Sequence, residues 1–440
     1  MNSKLKLQTI VIVALTVSLG FIVDNNLLSN SYQPAISDNL TIILMIGDGM
    51  GFEQVRMAQY TEVGKNANLT MEGLPLNLSV MTHNVNLGIT DSAAAATAIA
   101  TGVKTFNGRI AIAPNGSSIK TILEIALEMG KATGVVTTTS IQHATPASFM
   151  THVYSRNNYD EITNQIVENT NVDVLLGGGM KYFSEEQIQN MTADSYSFVT
   201  NKSALSSISS GRILGLFSDS NMPYEKERNL TDNTPSIADM TRKAIEILDQ
   251  NSSGFFLMVE GGRIDHESHD NDKVGAILET IAFDLAIKEA KHYVETHANS
   301  ILIITADHET GGPTIIGNYL DSNLPTSGLS EEQNRTLRIT RANQIDVTWS
   351  TGGHTRNHVP FFSFGEVFEN ITSNLLIDNT DIYGIMNNFL HEEEIVLFDR
   401  TPVNMLPYYT LYILLVPITI TLIYLIVKTK RSIKREEKNR

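Results

Sequence analysis

The sequence predicts an α/β protein with a central, mostly parallel sheet covered by helices on both faces, followed by a C-terminal transmembrane helix. Three observations predict it. Short apolar runs alternate with helical patterns through the middle of the chain, the order that builds parallel strands with helical crossovers. Acids and histidines recur just after those runs, where open α/β sheets place their sites. Near the C-terminus, one apolar stretch far longer than a strand precedes a basic tail.

Taken in order, residues 1–25 carry Lys4 and Lys6 ahead of an apolar run, the layout of a signal peptide or a signal anchor. Residues 26–40 are polar and read as a linker, and 41–391 as the folded domain. Residues 41–46 form a fully buried strand that stops at Gly47-Asp48-Gly49-Met50-Gly51, a tight turn presenting Asp48 at the sheet's C-terminal edge. Residues 80–87 are a second candidate strand. Residues 90–101, rich in alanine, should be a helix with Asp91 or Ser92 at its start. Helices are expected at 119–129, 160–169 and 237–248, and strands at 134–139, 172–176, 255–259 and 300–305. Residues 272–293 read as one long helix or two.

Residues 311–351 are poorer in pattern and suggest an inserted region near the site. A late strand at 361–364 and a helix at 378–389 complete the domain. Residues 392–405 begin acidic and read as a stalk. Residues 406–427, about 22 apolar residues, have the length of a membrane span. The tail at 428–440 is basic, so the positive-inside rule makes it cytoplasmic and the domain extracytoplasmic, at the cell membrane.

Composition narrows the function. The 440 residues suffice for one large domain, and the formal net charge of −16 disfavours a nucleic-acid partner. There is no cysteine, which excludes disulfides, Cys-ligated zinc and thiol nucleophiles. Sequons at Asn39, Asn68, Asn115, Asn201, Asn229 and Asn334 fit an exported chain.

The chemistry-bearing residues are Asp48; Asp91 and Ser92; His143 and Thr145; Glu260, Asp265, His266 and His269; Asp307 and His308; and His354. Asp, Glu and His suit zinc, and carboxylates with a Thr hydroxyl suit magnesium. Asp265 and His269 are one helical turn apart and would face the same side. This set supports a multi-metal hydrolase without assigning ligands to metals. Ser92 lies in the first turn of its helix, where free N–H groups and the helix dipole favour an anion; a simple capping role is the alternative.

The segment Thr90-Asp91-Ser92-Ala93-Ala94-Ala95-Ala96-Thr97 resembles the nucleophile signature of the alkaline phosphatase family. The flanking motifs agree and occur in the family's order: Asp48-Gly49-Met50-Gly51, Val259-Glu260-Gly261-Gly262-Arg263-Ile264-Asp265-His266, Thr305-Ala306-Asp307-His308-Glu309-Thr310-Gly311-Gly312 and Thr351-Gly352-Gly353-His354-Thr355. The resemblance implies hydrolysis of small phosphate monoesters at alkaline pH by a homodimer carrying two zinc ions and one magnesium ion. It makes Ser92 the nucleophile, phosphorylated in the intermediate, and Arg156 the residue that grips the phosphate. Asp265, His269 and His354 would hold one zinc, and Asp48, Asp307 and His308 the other. Asp48, Thr145 and Glu260 would hold magnesium. His143 and His266 form the histidine pair of the animal-type enzymes and some bacterial ones, beside the third metal site. A related phosphodiesterase or sulfatase, or a surface protein retaining an inactive hydrolase fold, are the competing readings.

Overall fold

Strands that are apolar at every position must be covered on both faces, and this chain has several. The computed structural model describes residues 39–169, 171–228, 233–318, 320, 328–369, 371–397, 399–401 and 428. Its strands are β1 (Thr41–Ile46), β2 (Leu76–Met81), β3 (Ala132–Ser140), β4 (Val174–Gly178), β5 (Tyr196–Val199), β6 (Arg212–Leu216), β7 (Phe255–Glu260), β8 (Ser300–Thr305), β9 (Pro313–Gly317), β10 (Asp346–Trp349), β11 (Val359–Phe364) and β12 (Leu376–Asp378). The helices are α1 (Phe52–Glu62), α2 (Ser92–Thr101), α3 (Ile122–Glu128), α4 (Ala144–Met150), α5 (Tyr159–Asn169), α6 (Glu185–Ala193), α7 (Lys202–Ser207), α8 (Ile237–Leu248), α9 (Arg263–His269), α10 (Lys273–Val294), α11 (Glu331–Gln344) and α12 (Asn379–Leu390).

Ten strands form one sheet in the order β12-β2-β11-β8-β1-β7-β3-β4-β6-β5. It is parallel except at β11, which runs antiparallel to β8 and β2. Strands β1, β3, β7 and β8 are buried at every residue, as central strands between helical layers must be. Each fully buried aliphatic side chain in them, such as Ile43 or Leu257, contributes about 1.5–3 kcal/mol. The register does the positioning. Ile46 lies opposite both Glu260 and Thr305, and Thr137 lies opposite Glu260. The ends of β1, β7 and β8 are therefore level, and the turns that leave them meet at one edge.

The structure departs from the sequence-based expectation in places. The strand placed at 80–87 is Leu76–Met81, where Leu76, Leu78 and Val80 point inward in alternation. Residues after it turn instead, because the Asn84 side chain accepts from the N–H groups of Asn86 and Gly88. The long helical pattern is one helix, α10, preceded by the separate α9. Residues 311–351 contain α11 and the antiparallel β9–β10 ribbon. Helices α1, α4, α6 and α7 and strands β5, β6 and β12 are not among the elements the sequence predicts. The expected leader at 1–25 and span at 406–427 lie outside the described residues. Among the described residues, no helix is long and apolar enough to cross a membrane.

Candidate active site

Asp91 accepts from Ala94 N at 3.0 Å and so caps α2. That relieves Ser92 of the capping task. Ser92 is the first helical residue, almost wholly buried, and its Oγ lies 3.2 Å from Nε2 of His308. The other Asp91 oxygen accepts from Gly108 N at 2.8 Å and from an Arg156 guanidinium nitrogen at 3.2 Å. A second Arg156 nitrogen is 3.3 Å from Nε2 of His143. A helix N-terminus, a hydroxyl and a tethered guanidinium thus converge, the components of a phosphate site.

Behind the serine lie the acids and histidines. His308 Nε2 is 3.2 Å from Asp307 Oδ2 and 3.5 Å from Asp48 Oδ1, all fully buried. Ligand-capable atoms of Asp48, Asp307 and His308 lie within 4.8 Å of one another. The same holds for Asp48, His143 and Glu260, and for Asp265, His308 and His354. His269 Nε2 and His354 Nε2 approach to 3.1 Å, and Asp265 Oδ1 lies 3.3 Å and 3.7 Å from them. Nδ1 of His354 donates to Thr90 O at 2.8 Å, and Nδ1 of His269 to Gly352 O at 2.7 Å. A carbonyl only accepts, so each ring, when neutral, carries its lone pair on Nε2. Two facing lone pairs beside a carboxylate call for a cation.

The buried polar atoms give the same answer. Among the described residues, both carboxylate oxygens of Asp48, Oδ2 of Asp307, Oε1 of Glu260, Oγ1 of Thr145 and Nδ1 of His143 find no hydrogen-bond partner. Buried polar groups are rarely left so, and an oxygen-and-nitrogen donor set of this kind fits hard and borderline divalent cations. Burial, reinforced by Asp307, Asp265 and Glu260, pushes the Asp48 carboxyl well above its usual range, and burial with Asp265 pushes Asp307 up to about 7. Burial holds His308 well below an ordinary histidine. Bound cations reverse the penalty on such acids.

Asp48, Glu260, Asp265, Asp307, His308 and His354 are thus brought into neighbouring groups, with Asp48 and His308 each shared between two of them, and His269 lies beside Asp265 and His354. His266 joins none of these groups; its ring meets His143 edge-on at 5.6 Å, and its Nδ1 lies 2.8 Å from a nitrogen of Arg263. Burial and the nearby His143 lower the His266 pKa to about 4.

Sequence reasoning missed several supporting residues. Thr310 Oγ1 donates to Asp265 Oδ1 at 2.5 Å, and Thr137 and Thr139 donate to Oε2 of Glu260. The run Thr137-Thr138-Thr139-Ser140 in an otherwise apolar strand was a usable signal. Gly49 adopts a φ of +72°, and a Cβ there would lie 2.8 Å from the Asp265 Cα, so only glycine lets the turn close against α9.

A sequence-family profile described as alkaline phosphatase matches residues 39–337. Alkaline phosphatase 4 of Bacillus subtilis is 44% identical over 63% of this chain, and the chain spans 63% of that relative's length. Escherichia coli alkaline phosphatase is 32% identical over 82% of the chain and 89% of its own length. The crystal structure of a cold-active alkaline phosphatase from Shewanella sp. superposes with a TM-score of 0.70 at 30% identity, covering 80% of this chain and all of the other.

Proposed function

This chain belongs to the alkaline phosphatase family of phosphomonoesterases, and from that premise we propose that it converts phosphate monoesters to an alcohol and inorganic phosphate through a phosphoseryl intermediate on Ser92. The observation that carries the reading is the setting of Ser92. Asp91 takes the cap, and the serine hydroxyl is left against the imidazole and carboxylate cluster.

The donor set supports two zinc ions and one magnesium ion, with Asp265, His269 and His354, then Asp48, Asp307 and His308, then Asp48, Thr145 and Glu260 as their holders. When bound, these ions supply Lewis acidity to the attacking and leaving oxygens of an in-line displacement. The chain's own groups do the rest. The α2 N-terminus and Arg156 bind the non-bridging phosphate oxygens, the guanidinium using donors not engaged by Asp91 and His143. Ser92 Oγ attacks phosphorus along the line opposite the ester oxygen, which departs as the alcohol. Water then cleaves the phosphoserine, returning the Ser92 hydroxyl and releasing phosphate. His354 and His269, held through Nδ1 by backbone carbonyls, keep Nε2 aimed at the site throughout.

The apolar run at 406–427 with its basic tail supports a membrane-tethered, extracytoplasmic enzyme, and the family resemblance supports a homodimer. The test of the activity is p-nitrophenyl phosphate hydrolysis at alkaline pH by the purified protein, metal-stripped and then resupplied with zinc and magnesium, beside Ser92→Ala. Metal-dependent turnover that falls at least about a thousandfold in the variant supports the serine mechanism. No turnover by folded, metal-loaded protein would turn attention to phosphodiesters and sulfate esters.

A further inference from the structure

Beside the nucleophile lies a cavity of about 190 Å³ that the chemistry above does not use. Thr90 and Thr355 form its inner wall. Thr90 is two residues before Ser92 and its carbonyl accepts from Nδ1 of His354, and Thr355 follows His354, so the cavity borders the reaction site. Its outer wall is Leu87, Ile89, Arg356 and His358.

Three features set this wall apart. Leu87 is 66% exposed and Ile89 44%, two large aliphatic side chains facing water at the mouth of a polar site. Leu87 also holds a φ of +58°, a conformation that disfavours a bulky residue and that asparagine or glycine would adopt more easily. The loop is nonetheless rigidly built. Asn84 accepts from Asn86 N and Gly88 N and donates to Ile89 O, while Asn107 also donates to Ile89 O. A strained, ordered loop that exposes leucine contributes little to the core, so its value lies in what it touches.

Charge identifies the rest of the occupant. Among the described residues, no acid lines the cavity. Arg356 and His358 are exposed, and among the described residues neither has an ion-pair partner, on a chain whose formal net charge is −16. The only acid-paired side chain on the wall is His83, whose Nε2 lies 3.3 Å from Asp378 Oδ2. Size sets the remaining limit, since a cavity of this order holds about one aromatic ring and is smaller than most drug-sized sites.

We propose that this cavity is the subsite for the alcohol portion of the substrate, selecting phosphate monoesters whose alcohol is compact, apolar and bears a second negative charge. The proposal rests on the phosphomonoesterase reading above. Leu87 and Ile89 cover the apolar body, and Arg356 meets the second anion.

The experiment uses the full-length, metal-loaded protein with phenyl phosphate, 4-carboxyphenyl phosphate and methyl phosphate. Comparing each compound between wild type and variant cancels leaving-group reactivity. Arg356→Gln should lower kcat/KM for the carboxylated ester about threefold, leave phenyl phosphate unchanged, and lose this effect in 1 M salt. Leu87→Asn should lower kcat/KM for phenyl phosphate about threefold relative to methyl phosphate while Tm holds or rises, because asparagine suits the left-handed backbone. Unchanged selectivity in both variants overturns the proposal. So does a drop of several degrees in Tm for Leu87→Asn, which would make Leu87 a packing residue. If wild type turns over none of the esters, the activity reading fails instead. Calorimetric binding of benzylphosphonate and 4-carboxybenzylphosphonate to wild type and Arg356→Gln then still reads the subsite, and equal affinities in both proteins would overturn it.

Discussion

Asp91 joins the stability of α2 to the alignment of Arg156, and substituting it separates the two. Asp91→Ala removes the cap on Ala94 N, about 1 kcal/mol. It also leaves the Gly108 N–H without its 2.8 Å acceptor, about a further 1 kcal/mol for a half-buried donor. A combined loss of about 2 kcal/mol should lower Tm by several degrees. The same change frees Arg156 from a partner in a pair whose side chains are only 23% and 18% exposed. That partly buried contact is worth about 1 kcal/mol, so the inhibition constant for inorganic phosphate should rise about fivefold. Losing a negative charge would by itself favour phosphate. N–H donors already engage both Asp91 oxygens, however, so the lost alignment dominates. Asp91→Asn keeps an oxygen for Ala94 N but turns an amide donor toward Gly108 N, so it should show about half of the Tm loss while still weakening phosphate. Thermal melts and phosphate inhibition of p-nitrophenyl phosphate hydrolysis read both effects. An unchanged Tm in Asp91→Ala would refute the capping account, and unchanged phosphate inhibition in both variants would refute the role in orienting Arg156.

Other outcomes follow from the same geometry. Gly49→Ala places a Cβ 2.8 Å from the Asp265 backbone at a φ of +72°, and should cost about 2 kcal/mol or more in a urea melt together with most activity. Wild-type values for this variant would mean the turn after β1 has slack. Metal removal should lower Tm well beyond experimental error, because ligands that bind only the folded state stabilise it by mass action, about 4 kcal/mol at a thousandfold excess over Kd. Identical melts with and without chelator would argue against structural occupancy of the cluster. Glu279, fully buried near Glu225, Glu267 and Arg263, has its pKa raised to about 8, chiefly by burial. Its folded-state pKa exceeds the unfolded one, so between about 4.5 and 8 the folded state holds the extra proton and stability falls as pH rises. Glu279→Gln should therefore raise Tm more at pH 9 than at pH 5, and an equal effect at both would count against this burial.

Much of the site was legible from local chemistry. The Gly47–Gly51 turn, the alanine-rich helix after Asp91 and the Asp265-to-His269 helical spacing depend on residues close in the chain, where conformational preference and hydrogen-bond reach are local. The choice between Asp91 and Ser92 as cap was not legible. Either side chain can cap in isolation, and the decision came from Gly108 and Arg156, which hold the carboxylate from 17 and 65 positions away. The segment at 80–87 misled because its alternation resembles a strand. Asn84 supplies turn hydrogen bonds there, and the β11 partner lies opposite Leu76–Val80 instead.

By itself, the sequence determined which residues can carry the chemistry, since a turn of glycines, a capped helix start and a full set of acids, histidines, serine and arginine are properties of neighbours. It also determined the buried central strands, because an unbroken apolar run has no polar face to offer water. Only the tertiary structure decided that β1 lies between β7 and β8 in a register that levels their ends, and that β11 runs against them. It alone decided that Gly49 N donates to Asp307 across 258 positions, that His308 serves two ligand groups, and that Leu87 and Arg356 frame one cavity. The physical reason is that strand order and register follow from the summed packing of both sheet faces, a quantity no single stretch of sequence contains.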